Sequence, residues 1–124
     1  MNKRRKSHGF TIVELIVVVT LIAVLASISY FILSGWRVET ARTEVKNDLQ
    51  NIESELNAYR TFNNGFPSTL TAVNYDATAS VDSSYSLRTD DTYCLNASSN
   101  VEPTVSYFID TRTNKHLAEG SCTP

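Results

Sequence analysis

At 124 residues the chain has room for one soluble domain, and its apolar residues are concentrated near the amino end rather than spread along the sequence. It carries 11 basic and 13 acidic residues, but four of the basic residues lie in the first nine positions. Without those nine positions, 7 basic residues face 13 acidic ones. This acidic balance argues against direct binding of nucleic acid through a basic surface.

The first predicted element is a membrane-spanning helix. Residues Phe10 to Leu33 form a run of 24 with a single charge, Glu14, and no glycine or proline. This length suffices to cross a bilayer, and the basic residues Lys3 to Lys6 before it predict that the amino end stays in the cytoplasm. The run is too long for a secretory signal peptide, and no Ala-x-Ala cleavage site follows it.

Glu14 is the unusual residue of this span. An ionised carboxylate in hydrocarbon costs several kcal/mol unless it is paired or lies near the interface. If the chain were cut before Phe10, a free α-amino group would appear four residues from Glu14, on the same face of a helix. The carboxylate of Glu14 could then pair with that amino group, its own or that of a neighbouring copy.

The segment around this junction is similar to a known signal. The order of basic leader, Gly9-Phe10 junction, Glu14 and long apolar run resembles the class III signal of type IV prepilins and pseudopilins. The resemblance implies that a membrane prepilin peptidase cuts after Gly9 and methylates the new amino group of Phe10. It also implies insertion in the inner membrane, a pilus assembly platform, and a homo-oligomeric helical filament in which Glu14 serves subunit assembly.

Beyond the span, the apolar stripe narrows but continues as the amphipathic half of the same helix. Apolar residues recur at spacings of three and four, which predicts one buried face: Val38, Ala41, Val45, Leu49, Ile52, Leu56, Tyr59 and Phe62. Charged residues between them predict a solvated outer face: Arg37, Glu39, Arg42, Glu44, Lys46, Asp48, Glu53, Glu55 and Arg60. The helix is expected to run from about Phe10 to Phe62, and Asn63-Asn64-Gly65 followed by Pro67 should end it.

The remaining residues predict a small antiparallel sheet. A brief helical turn is expected between Pro67 and Val73, and a loop over 76–84. Strands are indicated by alternating apolar residues at Tyr85 and Leu87, Tyr93 and Leu95, and Tyr107 and Ile109, with a fourth over Lys115 to Ala118 after a turn at Thr113-Asn114. The expected fold is α+β and pilin-like, divided into a leader (1–9), a membrane or filament-core helix (10–34), an amphipathic half (35–62) and a globular head (63–124).

The head contains both cysteines, Cys94 and Cys122. In an exported domain, a lone pair of cysteines is most simply a disulfide, and it would stabilise a head too small for a large core. The alternative is two unrelated buried thiols.

Catalytic and metal sites are poorly supported, so we expect neither an enzyme nor a cofactor. His8 is in the leader, His116 follows Lys115 where a solvated side chain is expected, and no nucleophile motif is present. Two cysteines and one histidine cannot close a zinc site alone. Loop solvation explains Asp90-Asp91 better than calcium binding does, and Asn96-Ala97-Ser98 fits a glycosylation sequon that arises often by chance.

These features predict a structural subunit of a type IV pilus, an extracellular filament used for adhesion, twitching motility or DNA uptake. Two alternatives remain open: a pseudopilin of a type II secretion system, and a minor tip pilin that acts as a binding module. The paired cysteines near the carboxyl end favour the pilus.

Overall fold

A computed structural model describes residues 9–124, apart from the side chain of Ser34. The predicted basic leader, Lys3 to Lys6 with His8, lies outside the described residues. The elements are a long helix, a short 3-10 turn and four strands: α1 (Ile12–Asn63), the turn (Leu70–Ala72), β1 (Val81–Leu87), β2 (Tyr93–Ser99), β3 (Ser106–Asp110) and β4 (Lys115–Glu119). The chain forms two compact units, the second of which is Trp36–Pro124. The predicted α+β fold, one long helix packed on an antiparallel sheet, is confirmed.

Both ends of α1 have a local cause. Thr11 precedes the first helical residue, Ile12, and serves as the amino-terminal cap described below. At the other end, the backbone N–H of Asn64 donates to the carbonyl of Arg60 at 2.9 Å, and Asn64 has a φ of 61°. A left-handed asparagine after the last helical residue ends a helix at small steric cost. The predicted stop at Asn63-Asn64-Gly65 is therefore confirmed.

The apolar stripe of α1 forms one side of the core of the second unit. Its buried members are Ala41, Val45, Leu49, Ile52 and Leu56. Two predictions about this helix are wrong. Phe62 is 88% exposed instead of completing the stripe, because it lies at the last turn of the helix, and Asp48 is only 4% exposed instead of facing solvent.

The sheet supplies the other side of the core. Its strand order is β1-β2-β3-β4, and each neighbouring pair is antiparallel. Tyr85, Leu95 and Ile109 are aligned across three strands on the face that packs against α1. The loop predicted over 76–84 is wrong in its last part, because β1 already begins at Val81. The predicted brief helical turn and the fourth strand are both present.

The carboxyl-terminal tail lies against part of the opposite face of the sheet. Cys94 on β2 forms a disulfide with Cys122, with the two Cα atoms 5.9 Å apart. Asn96, two residues along β2, accepts a hydrogen bond from the backbone N–H of Cys122 at 2.7 Å and donates one to its carbonyl at 3.2 Å. Phe108 on the next strand is buried on this same face. The tail is thus attached covalently and by hydrogen bonds between the Asn96 side chain and the Cys122 main chain.

Candidate assembly site at the start of the helix

The junction between Gly9 and Phe10 lies outside the helix and is accessible. Both residues precede Ile12, and the Phe10 residue is 82% exposed. Among residues 9–124, no heavy atom beyond the chain neighbours of Gly9 lies within 4 Å of a Cβ position built on it. A peptidase that cuts between these residues would therefore meet an exposed junction that precedes the helix.

Directly after the junction, Thr11 and Glu14 cap the helix reciprocally. The Thr11 hydroxyl accepts a hydrogen bond from the Glu14 backbone N–H at 3.2 Å. In return, the Glu14 carboxylate accepts from the Thr11 backbone N–H at 3.0 Å and from the Thr11 hydroxyl at 3.1 Å. This is a capping box, in which the first and the fourth residue of the turn satisfy each other's free N–H groups. Losing such a cap typically costs about 1 kcal/mol.

The sequence contains the signal for this cap, which the sequence analysis missed. Thr-x-x-Glu immediately before an apolar run is the pattern of a capping box, and Thr11-Ile12-Val13-Glu14 has it. The Glu14 carboxylate therefore already has two hydrogen-bond donors in the uncut chain. Its pairing with the α-amino group of Phe10 stays a prediction, because that group forms only when the chain is cut.

The helix that follows exposes apolar side chains on every side. Within Ile12–Asn63, an 18-residue window with mean hydropathy 2.7 has none of its residues buried. Length and composition make this the one helix among residues 9–124 that is able to cross a membrane. A surface of this kind needs lipid or other helices around it, because apolar area in water is unfavourable.

In the head, Asp48 and Glu44 attach the segment before β1 to α1. The Tyr75 hydroxyl donates to one carboxylate oxygen of Asp48 at 2.8 Å, and the Thr78 hydroxyl donates to the other at 2.6 Å. One helical turn earlier, Glu44 accepts from the Ser80 hydroxyl at 2.8 Å. Burial, followed by the hydrogen bond to Asp48, raises the pKa of Tyr75 above its ordinary 10.0. Asp48 is thus buried because its partners come from a distant segment.

A second buried charge lies where β1 ends. Arg88 donates through Nη1 to Asp110 at 2.8 Å, and the two side chains are 8% and 7% exposed. Nη2 of Arg88 donates to the carbonyl of Thr123 in the tail at 2.6 Å. Burial opposes ionisation of Asp110, but hydrogen bonds from Arg88, from the Arg112 backbone N–H and from Thr113 outweigh it and lower its pKa below the ordinary 3.8. The pair therefore stays charged at neutral pH and connects three segments.

The remaining candidate residues have structural partners. His116 lies in β4, its side chain is exposed as predicted, and its Nε2 is also 2.6 Å from the Glu53 carboxylate. Asp90 accepts a hydrogen bond from the Thr92 backbone N–H at 3.3 Å. The two hydrogen bonds to Cys122 occupy both amide atoms of Asn96. Within residues 9–124, no three histidine, cysteine or acidic side chains come together as metal ligands.

The carboxyl-terminal half of α1 packs on an antiparallel sheet, and the amino-terminal half of the same helix is apolar and exposed. This is a pilin-like α+β fold. The family model for the prokaryotic N-terminal methylation motif matches residues 4–30. The chain is also similar to the type II secretion system core protein G of two bacteria: 36% identical over 64 residues to that of Pectobacterium carotovorum subsp. carotovorum, and 35% over 69 residues to that of Aeromonas hydrophila. These matches cover 52% and 56% of this chain.

The matched segments span 41% and 48% of those two relatives, so the chain matches less than half of their length. The motif, the relatives and the fold agree with one another. Together they support a type IV pilin-like family for this chain. The methylation motif and the apolar helix indicate insertion in the cytoplasmic membrane before assembly.

Proposed function

We propose that this chain is a structural, non-enzymatic subunit that polymerises through the first half of α1 into a helical filament outside the cytoplasmic membrane. The observation that carries the proposal is the wholly exposed apolar surface of that half, with one capped carboxylate, Glu14, at its start. Such a surface is stable in lipid and equally stable against copies of itself, so a subunit can move from one environment to the other. His116, the only histidine after the junction, is bonded to Glu53 and has no catalytic role in this proposal.

Assembly would begin with processing at the exposed Gly9-Phe10 junction. A prepilin peptidase hydrolyses that peptide bond and methylates the new amino group of Phe10. Thr11 stays with the mature chain, so the cap on Glu14 survives the cut. In the filament core, the amino group of Phe10, from the same or a neighbouring copy, then neutralises the Glu14 carboxylate. An assembly platform in the membrane adds each subunit at the axial position where this pairing is possible.

Two kinds of filament fit this proposal. The relatives reported above are core proteins of type II secretion systems, which favours a pseudopilus that acts in protein export. The disulfide between Cys94 and Cys122, near the carboxyl end of an exposed head, favours a type IV pilus with roles in adhesion, twitching motility or DNA uptake. We give the secretion filament first place because it follows from sequence similarity along half of the chain.

Deleting the gene distinguishes a secretion pseudopilus from a type IV pilus. For a secretion subunit, we expect exported proteins to accumulate inside the cells while surface pili stay normal in number. For a pilus subunit, we expect sheared surface filaments to disappear while export is unchanged. In that second case, mass spectrometry of wild-type surface filaments should identify the chain as an abundant component. Normal export together with normal surface filaments lacking this chain would contradict the proposal.

A further inference from the structure

Trp36 is the only tryptophan of the chain, and it lies exposed at the start of the second compact unit. The residue is 67% exposed and does not belong to the hydrophobic core of the head. With Glu39, Thr40 and Thr43, it lines a shallow groove of about 300 Å³ on the helix surface. Packing within the head therefore does not account for a tryptophan at this position.

The direction of the side chain separates it from the core of the head. Ala41, the first fully buried residue of α1, lies about 140° around the helix axis from Trp36. Arg37, the next residue, is exposed as well. The pair therefore presents an aromatic ring and a guanidinium group to whatever surrounds the helix at this level.

The length of the apolar span indicates what surrounds it. Twenty residues separate Glu14 from Gly35, which at 1.5 Å per residue is about 30 Å, the thickness of the hydrocarbon core of a bilayer. If Glu14 lies at the cytoplasmic edge, where its carboxylate reaches water, the outer edge falls immediately before Trp36. Tryptophan is enriched at this interface, where its ring is buried and its N–H reaches polar headgroups.

We propose that Trp36 and Arg37 bind the headgroup region of the outer leaflet of a phospholipid bilayer and hold the unassembled subunit at a fixed depth. The indole ring packs among the glycerol and upper acyl groups, and Arg37 reaches the lipid phosphates. This anchor keeps Glu14 at the opposite edge, so a charged side chain need not enter the hydrocarbon. The inference concerns the subunit before assembly and does not depend on the kind of filament that it forms.

The competing occupant of this surface is a second copy of the chain. The bilayer is favoured because the number of residues between Glu14 and Trp36, counted as helix, matches the hydrocarbon thickness. The two occupants predict different dependence on protein concentration. Contact with lipid persists when subunits are dilute in the membrane, whereas contact between copies disappears.

Because Trp36 is the single tryptophan of the chain, its fluorescence reports its depth in the bilayer. The full chain is reconstituted into vesicles of phosphatidylethanolamine and phosphatidylglycerol that contain lipids brominated either near the glycerol backbone or near the methyl end. We expect the shallow quencher to reduce Trp36 fluorescence roughly twofold more than the deep one, because the ring lies at the interface. The ratio should not change as protein is diluted with lipid.

The matched control moves the tryptophan along the same helix. The double variant Trp36→Phe with Phe62→Trp changes two exposed residues, so the fold should survive, which circular dichroism checks. Its tryptophan lies 26 residues further along α1 and should respond to neither quencher. The proposal would be overturned if the deep quencher reduced wild-type fluorescence more than the shallow one, or if neither quencher had an effect. It would also be overturned if Trp36 were protected from the shallow quencher at high protein concentration and this protection disappeared on dilution.

Discussion

Arg88 and Asp110 form an ion pair with 2.8 Å between Nη1 and the carboxylate, and both side chains are more than nine-tenths buried. Because Arg88 also donates to the Thr123 carbonyl, the pair connects the end of β1, the end of β3 and the tail. A buried charge that loses its partner is costly, so Asp110→Ala should lower the free energy of unfolding by about 3 to 5 kcal/mol at neutral pH. Urea unfolding of wild type and variant in mild detergent measures this difference in unfolding free energy.

The same pair predicts a pH dependence. The pKa of Asp110 is lowered in the folded chain, so its contribution to stability is full above its ordinary pKa of 3.8 and is lost as the pH falls through the lowered value. The gap in unfolding free energy between wild type and Asp110→Ala should therefore shrink below about pH 4. The double change Arg88→Met with Asp110→Leu should cost less than Asp110→Ala alone. A gap that is constant with pH would contradict the assignment.

Asp48 should be a stability residue even though it lies among charged neighbours in the sequence. Asp48→Ala leaves the hydroxyls of Tyr75 and Thr78 without their acceptor, and we expect a loss of about 2 to 4 kcal/mol in unfolding free energy. Gln50→Ala, an exposed change two residues away, should cost less than about 0.5 kcal/mol. Equal effects of the two changes in a urea titration would show that the hydrogen bonds to Asp48 do not stabilise the head.

The disulfide between Cys94 and Cys122 closes a sequence separation of 28 residues. In the chain-entropy model, replacing both cysteines by alanine should cost about 3 to 4 kcal/mol. The two hydrogen bonds between the Asn96 side chain and the Cys122 main chain hold the tail independently, so the strands should keep their order. Thiol labelling of denatured, unreduced protein taken from cells provides the direct check. Two reactive thiols there would contradict the pairing.

The sequence predicted most of α1 because its signals are local. The apolar stripe from Ala41 to Leu56 and the stop at Asn64 depend on residues within a few turns. The burial of Asp48 was not predictable in this way, because its partners Tyr75 and Thr78 are 27 and 30 residues distant. Helical spacing alone cannot show which of its residues the sheet reaches.

The early start of β1 escaped prediction for a related reason. Asp82, Ser83 and Ser84 have no alternating apolar pattern, and they are in a strand because they pair with Ser98, Ala97 and Asn96 of β2. The pattern of apolar residues along the sequence cannot identify such pairing partners on another strand. The capping box of Thr11 and Glu14, by contrast, is a local motif and was readable from the start.

Processing has a direct consequence for mass. If the chain is cut after Gly9 and methylated, subunits isolated from filaments should begin at Phe10 and carry one extra methyl group on the amino end. Replacing Gly9 by a bulkier residue should leave the uncut precursor in the membrane, because a side chain at the cut site would hinder its entry into the peptidase. Intact-mass spectrometry reads both. Assembled protein that retains Met1 to Gly9 would exclude this route.

The central claim is that the negative charge of Glu14, and not only its helix cap, directs assembly. Glu14→Gln keeps an oxygen that accepts hydrogen bonds from Thr11, so the cap survives while the charge is lost. Glu14→Val removes both, and Val17→Leu, an apolar change one turn further along, serves as the control. All three variants should be expressed, inserted and cut normally, since the junction and the apolar span are preserved.

The deciding measurement is a count of filaments per cell for these variants, alongside an immunoblot that shows equal processing. The account predicts that Glu14→Gln and Glu14→Val both reduce the count at least about tenfold, because an unpaired amino group in the core costs more than 1.4 kcal/mol, while Val17→Leu leaves it near wild type. Normal filament numbers with Glu14→Gln would contradict the account and leave Glu14 as a helix cap alone.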